Sequence, residues 1–167
     1  MTAPVRGLRI GQGFDVHPFS SDPARPLMLG GVRVPGTPGL AGHSDADVVC
    51  HALADALLGA CGLGDLGRHF PDAAPQWAGA ASLGLLGEVM TMVCDSGKVA
   101  INADCTVICE RPRLADHTAA MERCLGETID APVSVKATRP EGLGALGRGE
   151  GIACMAVVLV SALSASP

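Results

Sequence analysis

The hydrophobic spacing of this chain alternates between strand-like and helix-like stretches, and their order predicts the fold. Residues 8–17 read as a first strand, in which Gly11 and Gly13 signal a close backbone approach or a bulge. Two short apolar runs, 27–29 and 32–34, meet around Gly30-Gly31 and predict a β-hairpin. Proline and glycine then dominate residues 35–42, which reads as a loop. Ser44-Asp45-Ala46-Asp47 offers a capping-type serine followed by acidic residues, so a helix is expected from there to about residue 60. The glycine-rich residues 62–67 follow, and a second helix spans roughly 81–95.

Residues 99–109 alternate as a strand, with Ile101, Ala103, Cys105, Val107 and Cys109 on one face. Pro112 suits a first helical turn and predicts a third helix to about residue 125. Residues 133–137 form another short strand. The glycine-rich loop 142–151 leads into an apolar run, 152–160, that fits a central buried strand. The sum is one α/β (α+β) domain over residues 1–167, with a mixed four-stranded sheet, helices on one face and a small β-hairpin.

Composition narrows the function. Hydrophobic residues make up 48% of the chain but aromatics only 2%, so the core is built from aliphatic side chains. With few stacking rings and a net charge of −5, nucleic acid is not an expected partner. Anionic ligands then need local cations, helix N-termini or a bound metal. The seven cysteines are scattered and lack any CxxC pair, which favours reduced thiols in a cytoplasmic protein over a disulfide framework. Arg6 and Arg9 are not followed by a leader-type apolar region, and the run 152–160 is too short to span a bilayer, so no membrane partner is expected.

Against that background the polar clusters carry the chemistry. Asp15 and His17 are two apart on a strand and so project from the same face. Alone, such a pair is also met as surface residues or a local hydrogen bond. His51 on the following helix supplies a third donor, and an Asp/His/His set with an open fourth position suits catalytic zinc. Asp47, His51 and Asp55 are spaced four apart, which gives His51 two carboxylate neighbours that could fix its tautomer. The other reading is an exposed acidic stripe. His43-Ser44 before the helix could seat a phosphate, or Ser44 could simply cap the helix.

Gly64-Asp65-Leu66-Gly67 and Phe70-Pro71-Asp72 form a loop whose carboxylates could accept bonds from sugar hydroxyls, or a plain turn. In the third cluster, Thr138-Arg139-Pro140-Glu141 precedes a run of glycines containing Ala145 and Arg148. Glycine lets backbone N–H groups approach an anion, Arg139 and Arg148 can pair with phosphate, and Glu141 suits a hard cation. No Gly-Lys-Ser/Thr follows, so this is not a nucleotide P-loop of that type.

Taken together, the residues resemble the 2-C-methyl-D-erythritol 2,4-cyclodiphosphate synthases of the non-mevalonate isoprenoid pathway. The resemblance runs from Arg9-Ile10-Gly11-Gln12-Gly13-Phe14-Asp15-Val16-His17 to the last strand. It includes Gly42-His43-Ser44-Asp45-Ala46-Asp47-Val48, His51, Ala54-Asp55-Ala56-Leu57-Leu58-Gly59, Gly64-Asp65-Leu66-Gly67, Phe70-Pro71-Asp72 and Gly147-Arg148-Gly149-Glu150-Gly151. It implies a homotrimer with active sites between subunits, and a lyase that converts 4-diphosphocytidyl-2-C-methyl-D-erythritol 2-phosphate to the 2,4-cyclodiphosphate and CMP. By the same resemblance Asp15, His17 and His51 hold Zn²⁺ or another divalent metal, and Glu141 helps place Mg²⁺ or Mn²⁺ on the diphosphate.

The resemblance also puts His43 and Ser44 on phosphate, and Asp65, Leu66, Gly67, Phe70, Pro71 and Asp72 around the erythritol part. Cys109, Pro112, Arg113, Leu114 and Ala115 match the segment of the cytidine pocket. Thr138, Arg139, Pro140, Ala145 and Arg148 complete the expected substrate-binding set, with His43 and Arg139 as the expected catalytic groups. Arg139 stands where the family commonly has threonine, Pro140 removes a backbone donor, and Ala145 replaces a frequent aromatic. Two other activities fit the same residues: a metal-dependent phosphohydrolase, and a non-catalytic trimer that binds phosphorylated ligands.

Overall fold

The structure of the chain, a computed structural model, describes residues 7–71, 74–77 and 79–163. Its strands are β1 (Arg9–Pro18), β2 (Pro26–Leu29), β3 (Val32–Pro38), β4 (Lys98–Ile108), β5 (Val133–Thr138) and β6 (Gly151–Ala162). The helices are α1 (Val48–Cys61), α2 (Leu66–His69), α3 (Ser82–Asp95), α4 (Thr118–Ile129) and α5 (Gly144–Gly147). A four-stranded sheet runs in the order β1-β6-β4-β5, and β2 pairs with β3 as a separate ribbon. Only β4 and β5 are parallel, and α4 is the crossover between them. Among the described residues, no helix is long and apolar enough to cross a membrane.

The two faces of the sheet differ sharply. Along β6, Ile152, Cys154, Ala156, Val158 and Val160 are fully buried beneath the helices, whereas Met155 and Val157 on the opposite face are 40% and 46% exposed. The outer face of β1 continues this pattern, with Ile10, Phe14 and Val16 exposed. Helix α1 is apolar on nearly all sides and lies at the centre of the inner layer, with Leu53, Leu57 and Leu58 fully buried. Each such side chain contributes roughly 1.5–3 kcal/mol through burial.

Gly11 and Gly13 explain how α1 reaches the sheet. A Cβ at Gly11 would lie 1.8 Å from the Ala56 carbonyl oxygen, so the helix backbone rests directly on the strand backbone. The close approach read from these glycines is therefore present. It fixes the separation at which β1 and α1 side chains meet further along.

Several boundaries differ from those the sequence suggests. The helix expected at Ser44 begins at Val48, because Ala46 adopts a left-handed φ of 57° and Asp47 takes the cap, accepting from the Val49 and Cys50 N–H groups. The helix expected at Pro112 begins at Thr118, after a turn in which the His117 and Thr118 N–H groups both donate to the Leu114 carbonyl. Proline's fixed φ suits a turn as well as a helix start, so Pro112 could not separate the two. Strand β3 extends to Pro38 into the expected loop, because a two-stranded ribbon leaves one edge of each strand unpaired and tolerates proline. In β4 the pairing with β6 skips Ile101, which puts that residue at 42% exposure instead of on the buried face with Ala103, Cys105 and Val107.

Candidate active site

The inner face of β1 carries Gly11, Gly13, Asp15 and His17 in succession. The first two abut α1, and the next two reach its first turn. There Asp15 Oδ2 lies 2.9 Å from His51 Nδ1 and 3.3 Å from His17 Nε2. The three residues offer ligand atoms that all lie within 4.8 Å of one another. Burial alone would push the Asp15 carboxyl up, but hydrogen bonds and charge from His17 and His51 outweigh it and hold the group far below the ordinary carboxylate range.

The orientation of His17 tests whether these residues suit a metal. Its Nδ1 lies 2.7 Å from the Ala41 carbonyl oxygen, which can only accept, so Nδ1 carries a hydrogen and, in the neutral ring, the lone pair is on Nε2, the nitrogen that faces Asp15. A lone pair facing a carboxylate oxygen is repulsive unless a proton or a cation lies between them. Two imidazoles and one carboxylate, each partly exposed, match the donor set of an open divalent site.

A cleft of about 310 Å³ opens over the cluster, lined also by Gly42, His43, Ser44, Asp55, Leu66, Gly67, Phe70, Trp77 and Leu85. Phe70 and Trp77 meet edge to face, with centroids 5.0 Å apart, and form an apolar wall. Arg25 ties the loop that carries His43 in place by donating to the Gly42 and Ser44 carbonyls. His43 and Ser44 precede α1 by several residues, so they are not the helix N-terminus that their sequence suggests.

The two carboxylates expected to orient His51, Asp47 and Asp55, are not what holds it. Asp47 is fully buried and committed elsewhere: its oxygens accept from the Gly30 and Gly31 N–H groups as well as from the helix it caps. Asp55 accepts from the Leu66 N–H at 2.7 Å and so positions α2. The groups at His51 Nε2 are instead the hydroxyls of Ser82, at 2.9 Å, and Ser44, at 3.2 Å. Ser82 and Trp77 were not legible as site residues, since one reads as a helix start and the other as a lone aromatic.

Asp65 caps α2 by accepting from the Arg68 N–H at 3.0 Å, and neither it nor Pro71 lines this cleft. Asp72 lies outside the described residues.

The remaining expected residues are elsewhere. Cys109, Pro112, Arg113, Leu114, Ala115, Thr138 and Arg139 line a second cleft of about 610 Å³, together with Thr37, Glu110, Arg111 and Ala137. It shares no residue with the first. Strands β1 and β5 are the two edges of the sheet, three inter-strand spacings or about 14 Å apart, and the two clefts lie toward these opposite edges.

Arg139 belongs to this second cleft and is already paired: its Nη2 donates to Glu110 Oε1 at 2.5 Å and its Nε to the same oxygen at 3.2 Å. The other Glu110 oxygen accepts from the Gly142 N–H at 3.3 Å. These bonds and the Arg139 charge hold the Glu110 carboxyl below its usual value. Glu141 is exposed on the adjoining loop, Ala145 is exposed on the short α5 that follows, Pro140 is partly buried, and none of the three lines either cleft. Arg148 lines a neighbouring third cleft and pairs with Glu150 at 2.6 Å.

Comparison with known proteins shows the family to which the chain belongs. The sequence profile of the YgbB family matches residues 8–161. The 2-C-methyl-D-erythritol 2,4-cyclodiphosphate synthase of Chromohalobacter salexigens is 54% identical over 156 residues, covering 92% of this chain and 95% of that protein. The synthase of the same name from Marinobacter nauticus is 52% identical over 160 residues, covering 94% of this chain and 99% of that one. Among solved structures, the bifunctional IspDF from Campylobacter jejuni matches with a TM-score of 0.88 and 41% identity, over 93% of this chain and 42% of that one. A 2C-methyl-D-erythritol-2,4-cyclodiphosphate synthase solved in a CDP-bound form matches with a TM-score of 0.82 and 37% identity, over 92% of this chain and 100% of that one. The chain belongs to the YgbB family, alongside the 2-C-methyl-D-erythritol 2,4-cyclodiphosphate synthases.

Proposed function

We propose that the chain catalyses the metal-dependent cyclisation of 4-diphosphocytidyl-2-C-methyl-D-erythritol 2-phosphate to 2-C-methyl-D-erythritol 2,4-cyclodiphosphate, with release of CMP, in isoprenoid precursor biosynthesis. The observation that carries this reading is the open Asp15/His17/His51 cluster in a chain of this family. The reaction joins an oxygen of the 2-phosphate to the β-phosphorus and breaks the bond from that phosphorus to the oxygen bridging the α-phosphate, which departs with CMP. Asp15, His17 and His51 would hold Zn²⁺ or another divalent cation, and Glu141 would help place Mg²⁺ or Mn²⁺; their positive charge would offset the repulsion between the phosphates. His43 and Ser44 orient phosphate oxygens at the first cleft. Leu66, Gly67 and Phe70 enclose the erythritol chain, and the second cleft holds cytidine. Holding both phosphates in line is the main contribution, since effective molarity is worth roughly 7–11 kcal/mol.

The separation of the clefts supports a homotrimer. The candidate metal residues lie toward one edge of the sheet and the proposed nucleotide pocket toward the other, so two copies placed head to tail would bring the two parts together. Contacts of this kind form a ring where the rotation between copies closes. The bare outer face, with Ile10, Phe14, Val16, Met155 and Val157 exposed, supplies apolar surface for the ring interior. Seven free cysteines support a reducing, cytoplasmic setting.

The test is turnover of the cytidine diphosphate substrate with and without chelator, reading CMP and the cyclic product together by mass spectrometry. A linear phosphate product in place of the cyclic one would establish hydrolysis instead. Mixing a His17→Ala variant with an Arg113→Ala variant tests the shared site. Subunit exchange restores activity if each site is composite, and leaves none if each chain is self-sufficient.

A further inference from the structure

Unlike His17, which is held by a backbone carbonyl, His51 is held from behind by side chains. Its Nδ1 faces Asp15, and its Nε2 lies 2.9 Å from the Ser82 hydroxyl. Ser82 opens α3 and is 1% exposed, so its oxygen is closed to substrate. Behind it, the Asp45 carboxylate makes a short hydrogen bond with the Ser82 hydroxyl and accepts the Ser82 backbone N–H at 3.2 Å from each oxygen.

We propose that Asp45 and Ser82 are positioning residues that hold His51 as its Nε2–H tautomer, so that the Nδ1 lone pair is presented to a divalent cation beside Asp15. The count of hydrogens carries the inference. A carboxylate has no hydrogen to give, so in the Asp45–Ser82 bond the hydroxyl donates. Having donated its one hydrogen, Ser82 Oγ can only accept, from His51 Nε2–H and from the Ser44 hydroxyl 3.2 Å away. Ser44 Oγ in turn accepts the Ala46 N–H at 3.1 Å. Nε2 thus has an acceptor for its hydrogen, and a cation between the ring and Asp15, 2.9 Å from Nδ1, would take the place of the proton that otherwise lies there, leaving the Nδ1 lone pair to meet the metal.

The order of the three residues excludes a nucleophilic role for Ser82. In a serine triad the histidine lies between serine and carboxylate. Here the serine lies between histidine and carboxylate, and its hydrogen faces away from His51. The proposal rests on the reading of Asp15, His17 and His51 as metal ligands and extends it to the residues that aim one of them.

Two measurements test it separately. Proton NMR of the zinc-loaded full chain reads the His51 Nε2–H, and competition titration with zinc reads affinity. In the unaltered chain that hydrogen is held by Ser82 and exchanges slowly with water. In Ser82→Ala the acceptor is gone. The His51 Nε2–H signal is then lost to fast exchange and zinc affinity falls about 10–100-fold, while the His17 Nδ1–H, held by the Ala41 carbonyl, stays visible. Ser82→Thr, which keeps the hydroxyl, retains the signal and most of the affinity. Should Ser82→Ala fail to fold by circular dichroism, Asp45→Asn gives the same change in weaker form.

A folded Ser82→Ala protein that keeps a slowly exchanging His51 Nε2–H and zinc affinity within twofold of the original overturns the proposal. An unaltered chain that takes up no zinc overturns the metal reading, and the two results are separable because the first is a difference between variants and the second a property of the unaltered chain.

Discussion

A Cβ built on Gly13 of β1 would lie 1.9 Å from the Ala52 carbonyl oxygen of α1. Backbone cannot yield there as a side chain would, so Gly13→Ala must push the helix that carries His51 off the strand that carries Asp15. We expect a loss of about 3 kcal/mol in urea unfolding, together with weakened zinc binding. An unchanged midpoint would show that the two backbones are not in contact.

His17→Ala leaves the core intact, because His17 is partly exposed and its neighbours pack without it. The expected result is a folded protein by circular dichroism, zinc affinity down by at least 100-fold, and no measurable CMP release. Retention of most of the activity would remove His17 from the metal site.

Cys109 lines the second cleft yet should resist alkylation. Burial, aided by the Glu110 charge, pushes its thiol up to about 11. At pH 8 only about one part in a thousand is then thiolate, the nucleophilic form. Iodoacetamide at that pH should mark the exposed Cys94 first and leave Cys109 unlabelled in peptide mass maps. Early labelling of Cys109 would contradict the buried, cleft-lining position.

Glu141 sits at the centre of a tight turn, with φ of 53° followed by 76° at Gly142, closed by the Leu143 N–H on the Pro140 carbonyl at 3.0 Å. A left-handed residue with a Cβ costs roughly 1–2 kcal/mol, partly offset by the entropy that glycine adds to the unfolded chain. Glu141→Gly should therefore raise stability by about 0.5 kcal/mol, while lowering turnover if the carboxylate holds a cation. A more stable variant with full activity would show that the glutamate is dispensable to the reaction.

Asp55 gives a pH signature. Burial raises its carboxyl above the ordinary value, and the charges of Asp65 and Asp15 add to this against the opposing Leu66 N–H and His51. A carboxyl that binds its proton more tightly folded than unfolded weakens the fold once ionised, and that cost fades as pH falls through the folded value. Asp55→Asn should accordingly melt higher than the original chain at pH 8. Its advantage should disappear near pH 4, close to the unfolded carboxylate value of about 3.9. An advantage that persists at pH 4 would mean that the effect is not one of charge.

What the sequence revealed divides along physical lines. Asp15 and His17 were legible because strand periodicity fixes their common face, and Gly11 and Gly13 because two glycines in one strand signal a close approach or a bulge, of which the structure has the first. The cap of α1 was not. Ser44, Asp45 and Asp47 are all good capping residues, and the choice among them turns on the left-handed φ of Ala46, an alanine with no local signal for it. Ile101 left the core face through a bulge that alternation cannot anticipate. Ser82 needed the tertiary approach of α3 to α1, some thirty residues away in sequence. The separation of the two clefts is a matter of strand order, which depends on which strands pair and not on the character of any one.

Trp77, edge-on to Phe70 at the wall above the Asp15/His17/His51 cluster, is the chain's one tryptophan. Indole emission from this protein consequently has a single origin, a few ångströms from where ligand would bind. The shift and quenching of that light report occupancy of the cleft in real time, with no dye and no substitution.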